Sequence, residues 1–250
     1  MKIVFDERFT RVYAYDPAAK SGRMESIVEA LKDYQFVSPQ PATEEDLLLV
    51  HTQSLVELVK RDRAVFEIAC LAAGGAVTTA EMALSEPAFG LIRPPGHHAG
   101  RHFNGGFCFF NNMAIALEKL IRSKKITKAL IVDIDLHYGN GTEDIFNGRK
   151  DVLFLNMECR ERCEYLEELR RSLLEIEDCE YDIIGVSAGF DTYEKDWGRS
   201  LKTEDYQTIG LIIKEQALRR CQGRRFALLE GGYYLPDLGK NVRSFLEGFG

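Results

Sequence analysis

The sequence lacks the features that define several classes of protein. Its six cysteines form no CxxC pair and follow no regular spacing, which argues against a disulfide framework or a structural zinc knot. No apolar run approaches the roughly 20 residues needed to cross a bilayer, and the first residues contain no apolar stretch typical of a secretory leader. We therefore expect a reduced, cytoplasmic protein without a membrane partner.

A basic face is also missing. The net charge is −7, whereas a protein that neutralises nucleic-acid phosphates needs clustered Lys and Arg, so we expect no nucleic-acid partner. No Pro-, Gly- or Ser-rich linker and no internal repeat interrupts the 250 residues. We therefore predict a single domain over residues 1–250.

Strand-like and helix-like segments alternate along the whole chain. Short apolar runs rich in Val, Ile, Leu and Phe predict strands over 2–5, 89–92, 128–135, 152–157, 181–189 and 225–232. Segments with a 3.6-residue period predict helices over 24–34, 43–62, 65–84, 111–123, 163–177, 203–220 and 236–249. This alternation predicts an α/β fold of three αβα layers, with one mostly parallel sheet covered on both faces.

Polar clusters follow four of the predicted strands. RPPGHH follows 89–92, DIDLHYGNG ends 128–135, GFD follows 181–189, and GGYY closes 225–232. In a parallel α/β sheet, functional groups gather at the carboxyl ends of the strands. We therefore expect these clusters to form one site.

Carboxylates and one imidazole in these clusters predict a metal centre. In an extended segment, residues two apart share a face, which would place Asp133, Asp135 and His137 together. Asp191 supplies one more carboxylate. Asp135, His137 and Asp191 would leave a coordination position open, as in catalytic zinc sites. The alternative is structural: Asp133 caps a helix that begins near Thr142, and Asp191 caps a helix or stabilises a turn.

The adjacent histidines His97 and His98 could divide proton transfer between them. Hydrolysis of an amide needs a base that accepts a proton from water and an acid that protonates the departing amine. Asp133, which is not needed as a metal ligand, would then orient one ring. The alternative is a solvent-exposed loop pair. Of the other histidines, we interpret His51 as packed on a helix and His102 as a loop residue.

The LLEGGYY segment places Tyr233 directly after Gly231 and Gly232. Glycine allows close approach of the backbone, and a tyrosine hydroxyl can donate to a developing oxyanion. The alternative is a tyrosine that only packs at the end of a strand.

Five segments together resemble a known family. PPGHHA, GGFCFFNN, VDIDLHYGNGTEDIF, SAGFDTYEKD and LEGGYY are similar, in the same order, to the signature blocks of the zinc-dependent histone deacetylase and acetylpolyamine amidohydrolase superfamily. The resemblance implies an arginase-like α/β fold and a Zn²⁺ or Fe²⁺ centre. It also implies removal of an acetyl or short acyl group from an acetyl-lysine peptide or a small acylated amine, with release of acetate.

The resemblance also assigns roles by position. The implied metal ligands are Asp135, His137 and Asp191, and the implied catalytic residues are His97, His98, Asp133, Asn140 and Tyr233. His98 matches the general base and acid, and Asn140 matches the partner of that histidine. The implied substrate-binding residues are Gly106, Phe107, Gly232 and Arg23, with Arg23 at the floor of an acetate-exit cavity. A structural K⁺ would bind backbone around residues 133–137.

The chain departs from the family pattern in three places. About 25 residues separate LNME at 155–158 from IIGVSAG, where relatives carry a longer stretch. Asn156, Met157 and Glu158 replace the usual residues near the K⁺ site. DWGRS replaces the usual segment after the third ligand and places Trp197 or Gly198 near the rim. We expect an open, shallow entrance that discriminates poorly along a substrate, with some preference for small amines.

Two other functions are compatible with parts of this pattern. An arginase-like ureohydrolase would need a second adjacent metal and more Asp and His ligands than these strand ends supply. A catalytically weak binder of acyl-lysine or polyamine would account for the short loops but would have no need of the complete set of polar residues.

Overall fold

Seven strands form one parallel sheet in the computed structural model, which describes residues 1–250. The strands are β1 (Lys2–Val4), β2 (Gln35–Val37), β3 (Ala88–Gly90), β4 (Ala129–Asp133), β5 (Val152–Asn156), β6 (Ile183–Ala188) and β7 (Arg225–Leu229). Their order across the sheet is β2-β1-β3-β7-β6-β4-β5, and every neighbouring pair is parallel. The prediction of a mostly parallel sheet is confirmed.

Nine helices cover the two faces of the sheet. They are α1 (Arg23–Ala30), α2 (Glu44–Leu47), α3 (Gln53–Lys60), α4 (Arg63–Met82), α5 (Asn112–Arg122), α6 (Asn140–Phe146), α7 (Arg162–Glu175), α8 (Thr203–Arg220) and α9 (Leu235–Phe249). One group of helices packs around α4 and α5. In the second group of helices, α9 packs on both α1 and α8, and α7 packs on α8. The result is the predicted three-layer α/β architecture.

Local chemistry explains where several elements begin. All residues of β4 and β6 are buried, and all but Asp133 and Ser187 are apolar or glycine, as expected for central strands covered on both faces. Asp62 caps α4 by accepting from the Val65 N–H at 3.1 Å, and Asn111 caps α5 by accepting from the Ala114 N–H at 2.9 Å.

Helix α4 differs from the expectation that no segment is apolar enough to cross a membrane. By length and composition alone, Arg63–Met82 could do so. However, 67% of its most apolar window is buried inside the protein, where α4 packs on α5 and on the sheet. A buried core helix passes the same length and composition test, so this finding is weak evidence for a membrane span.

Two elements differ from the sequence prediction. The helix predicted over 43–62 is broken into α2 and α3, because the chain turns at His51 and the Thr52 N–H donates to the Arg101 carbonyl at 3.0 Å. Strand β2 was not predicted, since its three residues are exposed or half-buried and form no apolar run.

The strand order positions the polar clusters. β3, β7, β6 and β4 are consecutive neighbours in the sheet. Because all four run in the same direction, the loops after them open at the same edge. These are the loops that carry the histidine pair, the tyrosine and the predicted metal ligands.

Candidate active site

Asp135, His137 and Asp191 converge at this edge. One oxygen or ring nitrogen from each lies within 4.8 Å of the other two. Nδ1 of His137 lies 3.1 Å from Oδ1 of Asp135 and 3.0 Å from Oδ2 of Asp191. Both aspartates are buried, whereas 40% of the His137 side chain is exposed, so the group is open on the histidine side.

The way in which Asp135 and His137 come together differs from the prediction. Strand β4 ends at Asp133, so both residues lie in the turn that follows rather than on one face of an extended segment. The turn is held by Asp135 itself, because its Oδ1 accepts the backbone N–H of His137 at 2.9 Å. Asp133 does the same one step earlier, with its Oδ1 accepting from the Asp135 N–H at 3.0 Å.

The donor set fits a divalent cation. Two buried carboxylates face each other, and both lie within hydrogen-bond distance of one nitrogen, Nδ1 of His137, which can serve only one of them, so the buried Oδ2 of Asp191 is left without a hydrogen bond. Burial, together with the charge of Asp135, raises the pKa of Asp191 to about 6. A cation would compensate both charges, and carboxylate oxygens with an imidazole nitrogen are ligands that zinc accepts.

Glycines make room for these carboxylates. A Cβ on Gly231 would lie 2.6 Å from Oδ2 of Asp135 and 2.7 Å from Oδ2 of Asp191. A Cβ on Gly189 would lie 2.1 Å from Oδ2 of Asp135. The Gly231 N–H donates to that oxygen at 2.8 Å. Only glycine at positions 189 and 231 allows the backbone to come this close to the carboxylates, because any side chain there would overlap with them.

The two histidines have different partners. Nδ1 of His97 lies 2.9 Å from Oδ2 of Asp133, and Nδ1 of His98 lies 2.7 Å from Oδ1 of Asn140. The ring centroids are 4.1 Å apart. His97 is buried and His98 half-buried, so the interpretation as an exposed loop pair is wrong. The alternative role of Asp133 as a cap is also wrong, since α6 begins at Asn140 without a side-chain cap.

These environments separate the pKa values of the two rings. Burial opposes the charged form of His97, but the carboxylates of Asp133, Asp135 and Glu230 together outweigh it and raise the pKa well above its usual value. Burial and the neighbouring His97 lower the pKa of His98 to about 4. Paired groups with separated pKa values are typical of acid and base roles.

Tyr233 lies within a group of aromatic rings. The indole of Trp197 stacks on it at 4.2 Å and 28°, and the Phe107 ring meets it edge-on at 6.1 Å. Burial raises the pKa of Tyr233 far above its usual value, so the hydroxyl keeps its proton and can donate.

A cavity of about 160 Å³ joins these residues. Its lining comprises Pro95, His97, His98, Gly106, Phe107, His137, Trp197, Gly231 and Tyr233. Phe107 has a φ of 68°, which is unusual for an aromatic residue and typical of strained positions at functional sites. A Cβ on Gly106 would lie 2.2 Å from the His98 ring, so only glycine fits beside that histidine.

Two predicted substrate residues do not line this cavity. Gly231, rather than Gly232, forms part of its wall. Arg23 is fully buried behind the tyrosine, with its guanidinium carbon 5.4 Å from the ring centroid of Tyr233. It donates to the carbonyls of Gly232 and Glu230 at 2.8 and 2.6 Å, so it supports the segment that carries the tyrosine.

The sequence reasoning missed several residues of the site. Glu230 is buried, and its Oε2 accepts from the N–H groups of Gly96 and His97 at 2.6 and 3.2 Å. Burial raises the pKa of Glu230 to about 7. Glu230 and Cys108 both approach His97. A charged residue directly after the buried apolar run FALL (226–229) was the signal that could have identified Glu230.

The remaining predicted residues lie outside the cavity. The amide oxygen of Asn156, near the predicted K⁺ position, accepts from the Gly139 N–H at 3.0 Å. His102 is exposed in a loop, as expected. His51 is buried, as expected, but lies in a turn rather than on a helix.

Comparisons with known proteins agree with this geometry. The family model for the histone deacetylase domain matches residues 17–162 and 158–249. A protein of Methanothermobacter thermautotrophicus named "Probable deacetylase" is 31% identical over 283 residues, covering 91% of this chain and 84% of that protein. The acetylpolyamine amidohydrolase of Mycoplana ramosa is 35% identical over 197 residues, covering 64% of this chain and 56% of that protein.

A solved structure supports the fold. The crystal structure of the HDA15 HD domain superposes with a TM-score of 0.87, at 23% sequence identity, covering 99% of this chain and 88% of that domain. At this level of identity, the likeness concerns the architecture.

Proposed function

This chain belongs to the histone deacetylase family, and we propose that it hydrolyses the amide of an acetylated primary amine at a zinc centre held by Asp135, His137 and Asp191. The family match and the relatives' names support amide deacetylation. One observation supports the metal most directly: two buried carboxylates converge on the same imidazole nitrogen, and one of their oxygens has no donor.

When bound, the cation would act as a Lewis acid on the acyl oxygen and make water more acidic. The chain's own residues would do the rest. Nδ1 of His98 is engaged by Asn140, and its Nε2 makes no hydrogen bond within the chain. Nε2 would accept the proton that water loses as its oxygen bonds to the acyl carbon. The same nitrogen would then return that proton to the departing amine as the C–N bond breaks.

Tyr233 would donate its hydroxyl proton in a hydrogen bond to the acyl oxygen as negative charge develops there. His97 would act differently from His98, because the Asp133 carboxylate holds it as a cation beside the reacting groups. The aromatic wall formed by Phe107 and Trp197 would shield the acyl group from bulk water. A cavity of about 160 Å³ suits an acetyl or short acyl group.

The surface around the cavity supports a broad choice of amine. Open grooves of about 650 and 590 Å³ meet at Trp197 and Tyr233. Three acidic and three basic residues line them, namely Asp16, Glu194, Asp196, Lys20, Lys195 and Arg199. Because no acidic cluster surrounds the entrance, the net negative charge of the chain is not concentrated where it would select a polycation. We propose that both small acylated amines and acetyl-lysine peptides are substrates.

The test is turnover by zinc-reconstituted protein at neutral pH on an acetyl-lysine peptide, acetylputrescine and acetylspermidine. Tyr233→Phe should lower kcat about a hundredfold through loss of one oxyanion donor. His98→Ala should lower it further, whereas His102→Ala, which changes an exposed loop histidine, should leave it unchanged. Stoichiometric zinc with no turnover of any substrate would favour the binding protein over the enzyme.

A further inference from the structure

The Asp196 carboxylate lies between the two loops that build the site. It belongs to the loop after β6, five residues beyond Asp191, and is 7% exposed. Its Oδ2 accepts the backbone N–H groups of Tyr233 and Tyr234 at 2.6 and 2.7 Å. Its Oδ1 accepts the backbone N–H of Trp197 at 2.8 Å. One carboxylate therefore joins the loop of the third predicted ligand to the loop of the tyrosine.

These hydrogen bonds hold the backbones of two residues whose rings are stacked. Trp197 and Tyr233 are attached through their backbones to opposite oxygens of Asp196, and their rings stack at 4.2 Å. The other hydrogen bonds that distant segments make to residues 230–234 involve residues before the tyrosine. Arg23 bonds to the carbonyl of Gly232, and Asp135 bonds to the N–H of Gly231. Asp196 alone binds the N–H of the tyrosine itself.

We propose that Asp196 is a positioning residue that sets the location of the Tyr233 hydroxyl, an inference that rests on the proposed deacetylase function. No Lys, Arg or His forms an ion pair with Asp196, so three backbone N–H groups are its compensation. Only a carboxylate satisfies all three from this position, because it presents two acceptor oxygens. An amide presents one, and its NH₂ group would face either Trp197 or the tyrosine pair.

Asp196→Asn should therefore remove the acceptor from either Trp197 or the tyrosine pair, and in both cases disturb the stack that the two rings form. The interaction between a tyrosine hydroxyl and a developing oxyanion strengthens in the transition state, so displacing Tyr233 should lower kcat more than it raises KM. We expect kcat on acetylputrescine to fall about tenfold or more, with KM changing less than about threefold.

A double-mutant cycle separates this role from a general loss of stability. If Asp196 acts through the tyrosine, Asp196→Asn should change kcat by less than about twofold when introduced into Tyr233→Phe. Asp46→Asn is the control, because Asp46 is also a buried carboxylate, 8% exposed, and its partners, the Thr43 N–H and the Lys119 ammonium, lie outside the site. It should leave kcat near wild type. Equal losses from Asp196→Asn in both backgrounds, or no loss at all, would overturn the proposal.

Fluorescence gives a readout that does not depend on turnover or metal. Trp197 is the only tryptophan in the chain. Loss of its stacking on Tyr233 should change its emission and increase quenching by acrylamide in Asp196→Asn, but not in Asp46→Asn. Unchanged emission and quenching would contradict the proposal. If wild-type protein shows no turnover, the proposed function fails, and this measurement still tests the positioning.

Circular dichroism would show whether Asp196→Asn folds. If it does not, Asp196→Glu takes its place, since glutamate keeps both acceptor oxygens but moves them by one methylene. We expect this variant to fold, to lose kcat as above, and to show altered tryptophan emission. Wild-type values for both readouts would overturn the proposal.

Discussion

The side-chain oxygen of Asn140 lies 2.7 Å from Nδ1 of His98. Because an amide oxygen only accepts, this contact places the proton on Nδ1 and leaves Nε2 free to take up another.

Asn140→Ala removes this control of the tautomer, and we expect kcat to fall about tenfold while bound zinc is unchanged. Steady-state kinetics with metal analysis would check it. Asn147→Ala, which changes an exposed residue after the same helix, is the control; equal kcat in both variants would contradict the role of Asn140.

Removal of one predicted ligand should abolish metal binding. Asp191→Asn replaces a buried carboxylate whose Oδ2 lies 3.0 Å from Nδ1 of His137. We expect less than a tenth of the wild-type zinc content and loss of nearly all activity. Zinc at a hundred times its Kd should stabilise wild-type protein by about 2.7 kcal/mol, and it should leave the Tm of the variant unchanged. One zinc per chain in Asp191→Asn would mean that the metal binds elsewhere.

A single added methyl group at Gly231 should have a similar effect. Its Cβ would lie 2.6 and 2.7 Å from the Oδ2 atoms of Asp135 and Asp191, so both carboxylates would have to move. We expect Gly231→Ala to lose zinc and activity while remaining folded. Gly105→Ala is the matched control, because a Cβ there meets nothing within 4 Å. Metal analysis of the two variants tests this expectation. Normal zinc content in Gly231→Ala would show that a methyl group at this position does not displace the carboxylates.

His51 should make the protein sensitive to mild acid. Its Nδ1 lies 2.9 Å from the Gly100 carbonyl oxygen, and its Nε2 accepts from the Asn111 N–H at 2.9 Å. Burial lowers the pKa of His51 to about 4. The unfolded chain, with a pKa near 6.5, therefore binds the proton first as pH falls. The contribution of His51 to the free energy of unfolding is fully present above pH 6.5 and is lost progressively as the pH falls towards 4.

The expected loss from this histidine is about 2 kcal/mol between pH 7.5 and pH 5. Urea unfolding of wild type and His51→Gln at both pH values would measure it. The variant should be less stable at pH 7.5 but should lose less stability on acidification, because glutamine does not titrate. Parallel losses in the two proteins would show that His51 does not cause the acid sensitivity.

The central strands of the sheet were predictable because each contains a run of apolar residues that is visible in the sequence. β4 and β6 consist mainly of apolar residues, ALIV and IIGV, and such runs between helical segments indicate buried parallel strands. β2 is short and lies at the sheet edge, where half-exposed residues carry no comparable pattern. The break between α2 and α3 depends on a bond from Thr52 to Arg101, a contact between distant segments that local periodicity does not contain.

The sequence by itself determined the chemistry that each loop brings: two adjacent histidines, an Asp-x-Asp-x-His turn, one further aspartate and a tyrosine after two glycines. It also determined that each group follows a strand. Tertiary structure decided that β3, β7, β6 and β4 are neighbours, and therefore that these groups form one site. Tertiary structure also determined that Asp196 accepts from the backbone of Tyr233 and that Asn140 accepts from the ring of His98. The reason is physical: periodicity reports which residues are buried, whereas strand order and hydrogen-bond partners depend on contacts between segments far apart in the chain.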